Sequence, residues 1–182
     1  MTSSDLTRLP DDAKARAGAR VGSSLDPAEL VRGAARGARV GFVCAEFNGG
    51  ITDRLLVAAL DGLEDAGCEL DRCIVAWVPG AFELPLVARA MAESNRVDAV
   101  VALGAVIRGD TGHYDFVAGE CAAGIQRVQL DTGVPVVFGV LTTDTVDQAL
   151  ERSEPDATNK GREAALTAIE TVRVLAAIDG KG

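Results

Sequence analysis

Apolar residues follow two alternating rhythms along this chain. Unbroken aliphatic runs at Ala38–Ala45, Asp71–Val78, Val97–Leu103 and Val134–Leu141 read as four β-strands. Between them the apolar positions recur three and four apart. Behind a turn at Glu46–Gly50, with Thr52 as the expected cap, Leu55, Leu56, Ala59, Leu60 and Leu63 share one helix face, interrupted mildly at Asp61-Gly62. Glu83–Ser94 reads as a second helix with Leu84, Leu86, Val87, Ala90 and Met91 inward and Pro85 tolerated in its first turn. Tyr114–Leu130 reads as a third. Thr143 or Asp144 can cap a short helix running to Arg152, and Glu154–Thr158 forms a turn. Asn159 then opens a final helix carrying Leu166, Ile169, Val172, Leu175 and Ile178.

Strands that are apolar throughout, with helices between them, are buried on both faces of a parallel sheet. The expected fold is therefore an α/β three-layer sandwich with a four-stranded parallel sheet, flavodoxin-like in kind. Pro135 implies an edge position for the last strand, or a start just after it. Residues 1–35 lack a sustained apolar face and read as a flexible leader or tail, with a short helix possible over Pro27–Arg32 behind Asp26. The domain spans 36–182. Its rhythm repeats, but no internal sequence repeat accompanies it.

The 182 residues suit a single domain able to bury a core without metal or disulfide. A net charge of -9, with no Lys/Arg-rich stretch, excludes a general nucleic-acid-backbone binder. The chain has no apolar run of membrane-spanning length and no secretory signal pattern, so a soluble cytoplasmic protein is the expectation. Cys44, Cys68, Cys73 and Cys121 have neither zinc spacing nor the density of a disulfide framework. Cys44 and Cys73 fall in expected buried strands and Cys121 interrupts a helical pattern, so all four read as buried free thiols.

The chemistry gathers at the ends of the runs, where parallel strands place their loops along one sheet edge. Phe47 offers a flat apolar face beside Asn48; a core cover and a turn residue would look the same. In Val78-Pro-Gly-Ala-Phe-Glu83, Glu83 can accept hydrogen bonds from a polyol or simply stabilise a helix start. Arg108-Gly-Asp-Thr-Gly112 suits a small anion-binding loop but is not a Walker A sequence. Asp110 within it would repel phosphate and is expected outward. His113 is the only histidine, and an imidazole, with a reference pKa of ~6.5, is the side chain suited to taking a proton and returning it near neutral pH. A structural helix-start histidine is the alternative, and Asp115 is a possible orienting partner. Arg152, Lys160 and Arg162 add positive charge near the last helix, and Arg152 can form a bidentate phosphate contact.

Phe47-Asn48, Val78–Glu83, Ala102–Tyr114, Phe138-Gly-Val-Leu-Thr-Thr143, Glu151-Arg152 and Asn159-Lys-Gly161 together resemble the 6,7-dimethyl-8-ribityllumazine synthase family from about Ala38 to Ile178. The resemblance implies condensation of 5-amino-6-(D-ribitylamino)uracil with 3,4-dihydroxy-2-butanone 4-phosphate, a transferase step of riboflavin biosynthesis using no cofactor and no metal. It implies that Phe47, Asn48, Ile107 and Phe138 bind the pyrimidine, and that Gly80, Ala81 and Glu83 bind the ribityl chain. Gly109, Asp110, Thr111 and Arg152 correspond to phosphate-binding positions, and His113 to the proton-transfer residue. Phe138, Arg152 and Lys160 would come from a neighbouring subunit, in a homopentamer or a dodecamer of pentamers. Two departures stand out. Glu46 occupies a position that is often basic, and Ser153–Thr158 replaces a glycine-containing connector with Pro155 and added acidity, leaving pentamer, decamer and 60-mer all open. Different classes of protein with the same motifs are a shell protein without turnover and a small flavin- or nucleotide-binding module.

Overall fold

Val40–Ala45 forms β1, every residue of it buried. The structure is a computed structural model and describes residues 37–180, so the leader read over 1–35 and its short helix lie outside the described residues. After β1 come α1 (Gly49–Asp65), β2 (Ile74–Val78), α2 (Leu84–Glu93), β3 (Ala99–Ile107), α3 (His113–Thr132), β4 (Val136–Thr143), α4 (Val146–Glu151) and α5 (Lys160–Ile178). The four strands form one parallel sheet in the order β2-β1-β3-β4. One face packs against α1 and α5, the other against α2 and α3. This is the expected three-layer sandwich. β4 is an edge strand that begins just after Pro135, so both consequences drawn from that proline hold.

Central strands β1 and β3 are buried on both faces, as their unbroken aliphatic runs require. β2 departs from that expectation. Ile74, Ala76 and Val78 face the α2/α3 core, but Val75 and Trp77 stay exposed because α1 does not extend over this edge. Asp71 and Arg72 belong to a 3-10 turn before β2, and Cys73 closes that turn rather than lying in the strand.

Helix ends also shift. Asn48, not Thr52, is the N-cap of α1; its carbonyl accepts from the amides of Ile51 and Thr52. Thr52 is buried inside the first turn. Thr145, rather than Thr143 or Asp144, caps α4, its hydroxyl accepting from the Gln148 amide at 3.2 Å. Leu86 and Ala90 of α2 face solvent, since α2 meets α3 through Pro85 packed over Gly124.

The inner face of α5 is made of small residues, Gly161, Ala164, Ala165 and Ala168, with Ile169. Leu175 and Ile178 are exposed, and Leu166 and Val172 only half-buried. Small side chains let α5 approach α1 closely, and the large apolar positions are displaced from the contact line. At the closest point a Cβ on Gly161 would run into the Leu55 carbonyl. Asn159 locks the entry to this helix: its Oδ1 accepts from the Gly161 amide at 2.8 Å, and its Nδ2 donates to the Glu154 carbonyl at 2.8 Å.

Gly161→Ala should therefore force α5 away from α1. A loss of roughly 1–3 kcal/mol is expected, the range for overpacking a tight contact. Denaturant unfolding of the variant against the parent chain measures it, and Gly180→Ala does not reproduce that close-contact clash, because a Cβ there meets nothing within 4 Å.

Candidate active site at the strand ends

The chain leaves β1 through α1 towards β2 on one side, while β3 feeds β4 on the other. Adjacent β1 and β3 thus send their connections in opposite directions, and a crevice opens beyond their carboxyl ends. Asn48 bridges that crevice. Its side-chain Nδ2 donates to the Ala105 carbonyl of β3 at 2.9 Å. Its backbone takes the left-handed conformation, φ 60°, which asparagine tolerates better than most residues. On the other side the Glu46 amide donates to the Val78 carbonyl at 2.8 Å and the Phe47 amide to the Pro79 carbonyl at 3.1 Å. Phe47 is therefore fixed through its backbone while its ring stays 73% exposed. A ring this exposed is not a core cover, and it is free to take part in a contact outside the core.

A cavity of about 490 Å³ sits at this point. It gathers Phe47 and Asn48 after β1, Gly80, Ala81 and Glu83 after β2, and Ile107, Gly109, Thr111 and His113 after β3. Glu83 folds back over Gly80, where a Cβ would come within 3.2 Å of its Oε2. Thr111 accepts through its hydroxyl from the His113 amide at 3.4 Å, at the N-terminus of the 20-residue α3. That end of a helix favours anions. Gly109 and Gly112 take no left-handed φ and face open space, so they leave room for a ligand instead of permitting a special turn. Asp110 is exposed and is not among the residues lining the cavity, the outward placement expected of it.

Phe138, Arg152 and Lys160 lie elsewhere. They line a separate groove of about 430 Å³ on the β4 edge, sharing no residue with the first. The Lys160 amide donates to the Arg152 carbonyl at 3.0 Å, which sets the two cations side by side. Arg152 Nη1 donates to the Gln148 carbonyl at 2.9 Å, and Lys160 pairs with Glu163. Arg162 points away, to Asp65 at 2.9 Å.

The family profile described as 6,7-dimethyl-8-ribityllumazine synthase matches residues 37–176. The chain belongs to that family. A 6,7-dimethyl-8-ribityllumazine synthase from Edwardsiella ictaluri (strain 93-146) is 57% identical over 146 residues, covering 80% of this chain and 94% of the relative. Membership in the lumazine synthase family agrees with the sandwich fold and with the motifs that end its strands.

A larger groove, about 800 Å³, runs between α1 and the connector 153–158. Asp53, Asp61, Glu64, Asp65, Glu154 and Asp156 outnumber Arg54 and Arg162 there, so this groove disfavours anions. Sequence reading missed Tyr114, Phe82 and Val117, which also line the strand-end cavity. Tyr114 directly follows His113, and its place at a helix start was the available signal. The Asp115 carboxylate, the possible orienting partner of the imidazole, pairs through Oδ1 with Arg108 at 3.2 Å.

The cysteines stay out of the chemistry. Burial pushes the thiols of Cys44 and Cys121 up to about 12, with Asp53 adding to the effect at Cys44. Burial also raises Cys68 and Cys73, more than the nearby Arg173 charge and the Val40 backbone respectively lower them. Iodoacetamide at pH 8 should leave Cys44 and Cys121 of the native protein unmodified, while the unfolded chain takes four carbamidomethyl groups; intact-mass measurement distinguishes the two.

Proposed function

We propose that the protein condenses 5-amino-6-(D-ribitylamino)uracil with 3,4-dihydroxy-2-butanone 4-phosphate to give 6,7-dimethyl-8-ribityllumazine, inorganic phosphate and water. The observation that carries this reading is the strand-end cavity, where an exposed aromatic ring, a carboxylate and the only histidine converge from three loops. Phe47 stacks on the pyrimidine, with Asn48 and Ile107 shaping its surroundings. Gly80, Ala81 and Glu83 receive the ribityl hydroxyls. Gly109, Thr111 and the start of α3 flank the phosphorylated ketone.

The 5-amino group attacks the ketone and loss of water gives an imine. Removal of a proton next to the imine expels phosphate, and the ribitylamino nitrogen closes the second ring with loss of another water. Dehydration and elimination leave the overall oxidation state unchanged, so the sequence calls on no redox cofactor. His113 moves the protons, a role that contributes about 10²-fold. Holding two substrates in register for successive bond formations contributes more.

The cavity itself offers the departing phosphate a helix N-terminus but no guanidinium or ammonium group, whereas the β4 groove holds Arg152 and Lys160 beside Phe138. A working site therefore combines the cavity of one chain with the β4 groove of a neighbour. A head-to-tail contact of this kind makes a ring when its rotation closes, and the family implies a homopentamer, alone or within a decamer or a dodecamer of pentamers. Arg152 then fixes the phosphate and stabilises its departure.

Turnover followed by lumazine absorbance and phosphate release tests the reaction itself; binding of product or flavin without condensation would replace it with a binding module. His113→Ala should lower kcat by about 10²-fold and leave residual activity. Arg152→Ala should raise KM for the phosphorylated ketone and spare that for the pyrimidine. Co-assembly of the two variants rebuilds intact sites. Random mixing in a ring should restore roughly a quarter of the parent rate, and a mixture no better than the variants alone would rule out the shared site.

A further inference from the structure

Arg108 lies outside the cavity, yet it contacts the end of β4, the turn into α4 and the first turn of α3, the helix that begins with His113. Its amide donates to the Thr143 carbonyl at 2.9 Å, continuing the β3–β4 ladder. Its Nε donates to Asp144 Oδ1 at 3.0 Å, just past β4. Its Nη2 reaches Asp115 Oδ1 at 3.2 Å in the first turn of α3. The guanidinium carbon sits 4.0 Å from the centre of the Tyr114 ring, which itself lines the cavity. One planar fork thus holds a strand end, a helix start and the turn into α4.

The connection continues beyond Asp144. The Asp144 amide donates to Gln148 Oε1 at 2.9 Å, and the Gln148 carbonyl accepts from Arg152 Nη1 at 2.9 Å. We propose that Arg108 is a positioning residue that sets the 109–112 loop leading into His113 and the β4–α4 turn from which the short helix α4 runs to Arg152 at its C-cap, and so aligns both parts that the chain contributes to catalysis. This rests on the roles assigned above to His113 and Arg152. The ion pairs are exposed on both partners, and such pairs contribute little to stability. A device that orders loops without supporting the fold is what that exposure describes. Lysine does not replace it: a point charge cannot span two carboxylates while lying flat on a ring.

Arg108→Gln and Arg108→Lys in untagged protein test this, with Arg89→Gln, which removes the exposed pair with Glu93, as the control. Arg108→Gln should lower kcat by about 10- to 100-fold, the scale of a small misplacement of reacting groups. KM for the phosphorylated ketone should rise, and KM for the pyrimidine should stay within about twofold because Phe47 and Glu83 are anchored elsewhere. Arg108→Lys should recover only a minor part. Full recovery by lysine would reduce the role to charge and overturn the proposal. An unchanged kcat in Arg108→Gln, or a fall matched by the control and by a lowered melting temperature, would do the same.

Because His113 is the sole histidine, labelling histidine with ¹³C at Cε1 gives a single resonance that reads the loop without turnover. That resonance should shift or broaden in Arg108→Gln and not in Arg89→Gln. An unmoved resonance overturns the positioning role even if the assigned reaction fails, while a moved resonance beside an inactive parent protein would place the failure in the reaction.

Discussion

The hydrogen bond from Asn48 to the Ala105 carbonyl spans the place where the sheet's connections diverge, and the cavity exists because that divergence is held open at a fixed width. β1 and β3 are paired along five residues, so their ends cannot separate without breaking the ladder. The crevice beyond them is consequently rigid on both walls. Asn48 adds the floor, caps α1, and holds the neighbouring Phe47 in solvent. Alanine would lose the side-chain bond to Ala105 and tolerate the left-handed backbone less well, whereas the cap of α1 comes from the backbone carbonyl alone.

The chemistry is distributed accordingly. In the proposed function the apolar and polyol-recognising groups belong to the rigid β1 and β2 exits, where the Glu46 and Phe47 amides bond to the Val78 and Pro79 carbonyls. The proposed proton transfer and anion contacts belong to the loop after β3 and the groove on β4. These later elements rely on exposed ion pairs rather than burial, with Arg108 among Tyr114, Asp115 and Asp144. The Arg108 guanidinium is held in its charged form more firmly than usual, first by Asp144 and then by Asp115, so the junction stays charged across ordinary pH.

Much of this was legible in the chain. Runs such as Val97–Leu103 announce a doubly covered strand, and the turn residues behind them mark the sheet edge that carries ligands. Less was legible where tertiary contact overrides local pattern. Leu175 and Ile178 keep helical spacing but lie beyond the close contact with α1, which is built from Gly161 and alanines instead. Thr52 has the chemistry of a cap, yet Asn48 takes the position a turn earlier. Arg173, charged in sequence, is buried on the inner face of α5, where burial disfavours its charge. His113, Glu83 and Phe47 converge as expected. Arg152 and Lys160 lie apart from them with Phe138 on the β4 edge, compatible with the expectation that these three serve a neighbouring subunit's site.

Val75 and Trp77 remain uncovered on β2, and Trp77 is the only tryptophan in the chain. It lies across the ladder from Cys44 and two residues before Pro79, whose carbonyl holds the Phe47 amide. The protein therefore carries its single tryptophan fluorophore at an open sheet edge. Its emission reports hydration of that edge, and any chain laid against β2 announces itself as a blue shift.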